Sequence, residues 1–190
     1  EGKRMQKIMF YINTVSFGGA ERVLANLANY FSEIKYEVSF VTSYYTDEEY
    51  LLSATVKRFV LEKEKIKQSR LRRNLRRISE LRKICKMEKP DILVSFMAEP
   101  NFRAILATRG LPIKTLISVR NDPEKEYAGK IGKFVGKFIL PMADGCVFQT
   151  RDAQLWFPKR LQKKSRIIYN AVKEEFYHIE RKPVRGEIVT

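Results

Sequence analysis

The first thirty residues of the chain combine an apolar run with a helical pattern. Residues 7–13 are almost continuously apolar and rich in β-branched and aromatic side chains, which predicts a strand covered on both faces. After a turn that holds Gly18 and Gly19, apolar residues recur at three- and four-residue spacing as far as Phe31. This spacing predicts a helix with one buried face, so the chain begins with a strand–loop–helix unit.

Apolar runs and helical patterns continue to alternate along the chain. Further strands are predicted over residues 36–42, 55–60, 91–96, 115–119, 145–149 and 166–169. Helices are predicted over residues 63–89, 100–109, 127–140 and 152–157. Because right-handed strand–helix–strand crossovers place helices on both sides of a parallel sheet, the predicted fold class is α/β, with an open, mostly parallel sheet and helices on both faces.

The C-terminal stretch departs from this alternation. Residues 181–186 are polar and contain a proline, and residues 187–190 are more apolar again. We interpret residues 1–180 as one domain, and residues 181–190 as a linker with the clipped beginning of a second domain.

Length and composition are those of an ordinary folded domain. The chain has 190 residues and 44% hydrophobic content, enough for one α/β core. No apolar run approaches the roughly 20 residues that span a bilayer, and the N-terminus lacks a signal-peptide core, so a cytoplasmic location is expected. Cys85 and Cys146 lie far apart without CxxC spacing, so buried, reduced thiols are expected and no metal site is.

Positive charge is concentrated in one predicted helix. The formal net charge of the chain is +15, and residues 57–89 hold 14 Lys and Arg against four Asp and Glu, a net charge of +10. The candidate anion-binding patch consists of Arg72, Arg73, Arg76 and Arg77. Unpaired guanidinium groups are costly to bury, so all four are expected to face solvent or a partner.

An anionic membrane surface suits this patch better than nucleic acid, because the helical run has no interleaved aromatic residues for base stacking. Docking there would make the protein peripheral at the inner face of the membrane. A helix face that is merely solvated is the alternative.

Gly18 and Gly19 form a candidate anion-binding loop. They open a helix directly after a strand, where free N–H groups and the positive end of the helix dipole face any bound anion. The stretch is neither GxGxxG nor a P-loop, so classical NAD binding and Mg²⁺-triphosphate binding are not expected. A tight connection without a ligand is the alternative.

Polar residues follow two other predicted strands. Glu99 and Asn101 come after the strand that ends at residue 96, and Arg120 and Asn121 come after the strand that ends at residue 119. The carboxyl ends of parallel strands share one edge, so these side chains are expected in one crevice, where Arg120 could hold a phosphate or a sugar hydroxyl. The alternatives are that Asn101 is an N-cap and that Asn121 only helps to turn the chain.

Four motifs carry a resemblance to a known family. They are Gly-Gly-Ala-Glu-Arg at 18–22, Lys-Pro-Asp-Ile-Leu at 89–93, Ala-Asp-Gly-Cys-Val at 143–147 and Ile-Ile-Tyr-Asn-Ala-Val at 167–172. In order and spacing they resemble the N-terminal half of the retaining GT-B glycosyltransferases of family four. The resemblance implies two Rossmann-like domains that face each other across a cleft, with the acceptor held mainly by the first and the nucleotide sugar mainly by the second.

The resemblance also implies roles for individual residues. Gly18 and Gly19 would lie against the donor diphosphate, and Arg22 would face the cleft. The donor would be a nucleotide sugar and the acceptor a saccharide or a lipid-linked saccharide, with no cofactor or metal ion. Many relatives carry a histidine where this chain has residues 119–122, and another near Phe96, so the catalytic residues stay unassigned.

Three functions follow as hypotheses. The first is the acceptor half of a glycosyltransferase, inactive without the missing C-terminal domain. The second is a non-catalytic subunit of a split glycosyltransferase, and the third is a basic nucleic-acid-binding module.

Overall fold

The fold is a seven-stranded, all-parallel sheet. The computed structural model of the chain describes residues 6–16, 18–62 and 69–170. The strands are β1 (Lys7–Ile12), β2 (Glu37–Tyr44), β3 (Lys57–Glu62), β4 (Ile92–Phe96), β5 (Lys114–Val119), β6 (Gly145–Phe148) and β7 (Ser165–Ile167). Their order across the sheet is β3-β2-β1-β4-β5-β6-β7, and all six pairings are parallel. The predicted sheet is confirmed, with each strand within about two residues of its expected bounds.

The helices follow the strands in alternation. They are α1 (Gly19–Glu33), α2 (Arg70–Glu88), α3 (Ala98–Thr108), α4 (Pro123–Glu126), α5 (Gly129–Phe134), α6 (Arg151–Trp156) and α7 (Lys159–Gln162). A π-helical turn (Val135–Ile139) and a short 3₁₀ turn (Leu140–Met142) continue the chain after α5.

The central strand β1 is covered on both faces, as its continuous apolar sequence predicts. Phe10 pairs in register with Phe40 on one side and Val94 on the other. Alternate side chains of a strand point to opposite faces. Phe10 therefore packs against α1, whereas Met9 and Tyr11 pack against α2 and α3. Helices therefore lie on both faces of the sheet, as predicted.

The sheet has one switch point, between β1 and β4. From β1 the chain builds outward through β2 to β3, and then crosses to β4 and builds in the other direction to β7. In open α/β sheets, ligands bind outside the carboxyl ends of the strands near such a point. The loops that follow β1, β4, β5 and β6 all end at this edge.

The helix predicted over residues 127–140 is present, but it begins at Gly129 and changes to a π-helical turn after Phe134, and a separate short helix precedes it. Pro123 starts α4, and the carboxylate of Asp122 caps it by accepting a hydrogen bond from the Glu124 amide at 3.0 Å. Gly129 then has a φ of +75°, a left-handed conformation, and the predicted helix starts at this residue as α5. After Phe134 the helix α5 widens into the π-helical turn.

The basic helix differs from the expectation in its start and in its faces. Within the described residues α2 begins at Arg70, with the Ser69 hydroxyl as its N-cap, and residues 63–68 of the predicted helix lie outside them. Leu71 and Leu75, whose helical spacing predicts a buried side together with Leu81, are exposed, whereas Arg77 is buried. The expectation that all four arginines face solvent or a partner is therefore wrong for Arg77.

Residues 171–190, which include the predicted linker and His178, lie outside the described part of the chain. In the ranges that are described, none of the helices is long and apolar enough to cross a membrane.

Candidate functional site

A cavity of about 430 Å³ opens at the carboxyl ends of β5 and β6. Its lining includes Arg120, Asn121, Gln149 and Trp156, together with the start of α4. The strand ends set this position, because β5 ends at Val119 and β6 at Phe148, so the next residues of both strands face the same space. Arg120 and Asn121, two of the four residues expected in one crevice, both line this cavity.

Arg120 is held in a defined position inside this cavity. Its guanidinium lies 5.0 Å from the centre of the Phe96 ring, and Nη2 donates to Oδ1 of Asn170 at 2.8 Å. The amide of Gln149 also contacts Asn170, so the ends of β5, β6 and β7 meet in one polar cluster. Burial lowers the pKa of the half-buried Arg120, because water is removed from the cation. A partly desolvated guanidinium binds a phosphate or carboxylate more strongly than an exposed one.

Asn121 is exposed and points toward a carboxylate that the sequence analysis missed. Its Nδ2 donates to Oε1 of Glu126 at 3.3 Å, and the same oxygen accepts from the backbone amide of Ala98 at 3.0 Å. Glu126 thereby caps α3, since Met97 at the N-cap position makes no side-chain capping bond. Burial raises the pKa of Glu126, and the bonds from Ala98 and Asn121 oppose that rise without cancelling it. No local sequence signal joins Glu126 to a helix that begins 28 residues earlier.

Asn101 is not the N-cap of α3 and does not line the cavity. It lies in the first turn of α3, is fully buried, and donates from Nδ2 to the backbone oxygen of Ser118 at 2.9 Å. Its amide therefore ties α3 to the end of β5. The helix begins at Ala98, two residues before the predicted start, which turns Asn101 inward.

Glu99 does not line the cavity of Arg120 and lies beside the start of α2. Its carboxylate pairs with Nη2 of Arg70 at 2.7 Å and with Nη2 of Arg103 at 3.1 Å. Burial alone would raise the pKa of Glu99, but the hydrogen bond from Arg70 and the charge of Arg103 outweigh it and lower the pKa.

Arg103 forms the centre of a second polar cluster that the sequence analysis also missed. The side chain is fully buried and donates to Oγ of Ser43 at 3.1 Å and to Oδ1 of Asn13 at 2.9 Å. Tyr11 shares the Ser43 hydroxyl through a bond of 3.1 Å. These hydrogen bonds hold α3 against the carboxyl ends of β1 and β2. An arginine within an apolar helical pattern gives no sign of whether it points inward.

The glycine loop opens α1 directly after β1, as predicted. Gly18 is the N-cap with a φ of −109°, and the helix start has no side-chain cap. A Cβ atom on Gly18 would overlap the Glu21 carboxylate, which folds back over the loop, whereas a Cβ on Gly19 would meet nothing within 4 Å. Arg22 is exposed in the first turn. The fold itself therefore does not require a glycine at position 19.

The four arginines of the predicted patch on α2 divide into two pairs. Arg76 and Arg77 both bind Glu62 at the end of β3, at 2.8 Å and 2.7 Å. Arg72 and Arg73 are exposed. The surface charge of this helix is therefore smaller than the sequence suggests, because one carboxylate compensates two guanidinium groups.

The amino-acid sequence of the chain matches a protein-family profile. The profile of Glycosyltransferase Family 4 aligns with residues 17–176. The chain belongs to glycosyltransferase family 4.

A curated relative of this family 4 chain is the Campylobacter jejuni GalNAc-α-(1→4)-GalNAc-α-(1→3)-diNAcBac-PP-undecaprenol α-1,4-N-acetyl-D-galactosaminyltransferase. The two sequences are 29% identical over 168 residues, which is 87% of this chain and 46% of the relative. The chain thus spans about half the length of the relative it matches.

Solved structures with this fold include longer proteins, of which the chain covers about half. Sucrose-phosphate synthase from Thermosynechococcus elongatus aligns with a TM-score of 0.67 at 13% identity, over 86% of this chain and 48% of the enzyme. A glycosyltransferase from Rickettsia africae aligns with a TM-score of 0.61 at 15% identity, over 93% of this chain and 46% of that one. The Rossmann-like fold of one half of a GT-B enzyme is thereby confirmed for the family 4 chain.

Proposed function

We propose that this chain is the acceptor-binding half of a retaining glycosyltransferase that transfers a sugar from a nucleotide-sugar donor to a lipid-linked saccharide. The observation that carries the proposal is the match to the Campylobacter jejuni transferase, whose name gives an undecaprenyl-diphosphate-linked saccharide as its acceptor. Family membership supports the reaction class, and the shared half-length supports the assignment to the first domain.

The cavity at the ends of β5 and β6 is the proposed acceptor site. Arg120 offers a fork of donors in a half-buried setting, and Asn121 offers an amide at the cavity mouth, positioned by Glu126. Such groups can orient a sugar hydroxyl or hold a phosphate of the acceptor. We do not assign Glu99 or Asn101 to the acceptor, because Glu99 pairs with Arg70 of α2 and Asn101 binds the backbone at the end of β5.

The glycine loop is the proposed contact for the donor diphosphate. The open space beside Gly19 allows a ligand to approach the backbone of α1 closely, and Arg22 lies exposed one turn further along. The Glu21 carboxylate would have to move aside for a diphosphate, since both are negatively charged. The remaining groups that stabilise the leaving diphosphate belong to the second domain in this proposal.

The test is a transfer assay with the full-length protein. The protein is incubated with UDP-N-acetylhexosamines and with an undecaprenyl-diphosphate-linked saccharide, and the product is analysed by mass spectrometry and by NMR of the new anomeric carbon. We expect transfer with retention, no requirement for a metal ion, and no turnover by residues 1–190 alone.

Turnover by the 190-residue chain alone would contradict the assignment to half of an active site. Transfer only after a separate protein is added would favour a subunit of a split enzyme. Salt-sensitive DNA binding together with no transfer to any acceptor would favour the nucleic-acid hypothesis.

A further inference from the structure

One surface segment exposes large apolar side chains among lysines. It consists of α5 and the following π-helical turn, residues 129–139, and is called the α5–π segment below. Ile131, Phe134 and Phe138 are 81%, 55% and 54% exposed. The lysines beside them are Lys130, Lys133 and Lys137, and all three are exposed. Three large apolar side chains on one short segment form a patch of the kind that marks a binding surface.

Glycines explain why these side chains point outward. A Cβ atom on Gly132 would overlap the carbonyl of Tyr127, and a Cβ on Gly136 would lie 2.9 Å from Cζ3 of Trp156. The segment therefore lies against the domain with its backbone, and Leu140, which is fully buried, anchors its end. The domain core does not use Ile131, Phe134 or Phe138, so burial within the described residues does not account for them.

The surface has the chemistry of an interfacial membrane anchor. The rings of Phe134 and Phe138 lie side by side with 5.1 Å between their centres, and Nζ of Lys137 lies 5.6 Å from the centre of the Phe138 ring. Residues 127–142 contain three lysines and no acidic residue. Lysine stems can lie along apolar surface while the ammonium groups reach the phosphates of lipid headgroups.

We propose that the α5–π segment docks on an anionic lipid bilayer, with Ile131, Phe134 and Phe138 in the acyl-chain boundary and the three lysines at the headgroups. The inference deepens the proposed function and rests on it, because a lipid-linked acceptor is collected from a membrane. The positive charge of the three lysines favours an anionic bilayer over a second copy of the chain as the partner of this surface. A second copy of this chain would bring six lysines together at a symmetric contact, which repulsion disfavours, whereas an anionic bilayer complements them.

The first experiment measures co-sedimentation of the full-length protein with vesicles of phosphatidylcholine containing 30% phosphatidylglycerol, and with vesicles of phosphatidylcholine alone. Each lysine near an anionic surface contributes about fivefold to binding, so the variant K130Q/K133Q/K137Q should bind about a hundredfold more weakly to the anionic vesicles. The variant I131S/F134S/F138S should lose binding to both kinds of vesicle.

Matched controls come from other exposed residues. The variant K159Q/R160Q/K163Q removes the same charge from the region of α7, and Y30S/I34S/L51S removes exposed apolar side chains near α1. Both should keep most of the vesicle binding. Equal losses in the test and control variants, or unchanged binding in the test variants, would overturn the inference. A dimer that dissociates only in I131S/F134S/F138S would identify a second copy as the occupant instead.

A fluorophore placed on the segment gives an independent test. Cys85 and Cys146 are buried, and burial raises the pKa of Cys85 to about 12, so an added surface cysteine reacts first with an NBD maleimide. The label at F138C should shift to the blue and brighten with anionic vesicles, and the label at L51C should not. Equal responses at the two positions would also overturn the inference.

These outcomes are separable from failure of the proposed function. Transfer to a water-soluble saccharide acceptor is measured for each variant. Transfer without any vesicle binding by the parent protein overturns the membrane inference alone. Vesicle binding that depends on the segment, together with no transfer to any acceptor, overturns the proposed function alone.

Discussion

Arg77 and Glu62 form a buried ion pair, with 2.7 Å between Nη2 and Oε2. Arg77 is 6% exposed and its guanidinium also lies 5.5 Å from the centre of the Tyr44 ring. Burial alone would raise the pKa of Glu62, but the hydrogen bonds from Arg77 and Arg76 outweigh it and lower the pKa. The pair joins the first half of the basic helix to the end of β3.

Replacing one partner of this pair should destabilise the fold strongly. Arg77→Gln leaves Glu62 with a single arginine in a buried setting, so we expect the free energy of unfolding to fall by about 3 kcal/mol. Urea unfolding followed by circular dichroism measures this. Arg72→Gln, on the exposed side of the same helix, should change stability by less than about 0.5 kcal/mol. Equal effects of the two changes would show that the ion pair contributes nothing to folding.

The exposed arginines of α2 should affect vesicle binding without affecting folding. The double change R72Q/R73Q removes two charges and keeps helix propensity nearly constant. We expect vesicle affinity to fall about tenfold or more at low salt, with a smaller loss at 0.5 M NaCl, where the charges are screened. Unchanged affinity at low salt would leave the α5–π segment as the membrane contact without help from α2.

Gly19→Val should separate ligand approach from folding. Because a side chain at position 19 meets open space, the variant should fold with a loss of about 1 kcal/mol or less. Transfer by the full-length enzyme should fall at least about tenfold, since the side chain blocks approach of the donor diphosphate. Asn26→Val, an exposed position of the same helix, controls for helix propensity. Full activity of Gly19→Val would remove the loop from the donor site.

Arg120→Lys tests the fork geometry in the proposed acceptor cavity. The change keeps the positive charge but loses the paired donors, so kcat/KM for the acceptor should fall about ten- to a hundredfold while KM for the donor stays nearly constant. Steady-state kinetics with the full-length enzyme measures both, and the exposed Arg160→Lys is the control. A loss confined to the donor KM would place Arg120 at the donor instead.

Glu126 should make part of the stability pH-dependent in a predictable direction. Its pKa is raised in the folded state, so the folded protein binds a proton more tightly than the unfolded chain. The stabilisation is complete below the ordinary glutamate pKa and is lost as pH rises through the raised value. Unfolding free energies from pH 4 to pH 7 should therefore fall less in Glu126→Gln than in the parent.

Other carboxylates act in the opposite direction. Glu62 and Glu99 have lowered pKa values, so their contributions are present above the ordinary value and are lost as pH falls. The difference between parent and variant removes these shared terms. A difference that stays constant across the range would contradict a raised pKa for Glu126.

Local patterns predicted the parallel sheet and its major helices well. Continuous apolar runs marked β1 and β4, since strands covered on both faces need apolar residues at every position. At residues 127–140 the same reasoning predicted the helix, but it predicted neither the start at Gly129 nor the change to a π-helical turn after Phe134. The prediction for α2 failed in part, because charge and spacing could not show that Glu62 of β3 lies beside Arg77.

The sequence by itself determined the fold class, the family and the polar residues that end β5, because each depends on residues close together in the chain. Only the tertiary structure decided which of these polar groups line a cavity. Arg120 and Asn121 open into a cavity, whereas Glu99 and Asn101 are held by partners on other elements. A buried charge needs hydrogen-bond partners that are far away in sequence, as Arg103 has in Asn13, and the residues next to either of them in the chain do not predict the contact.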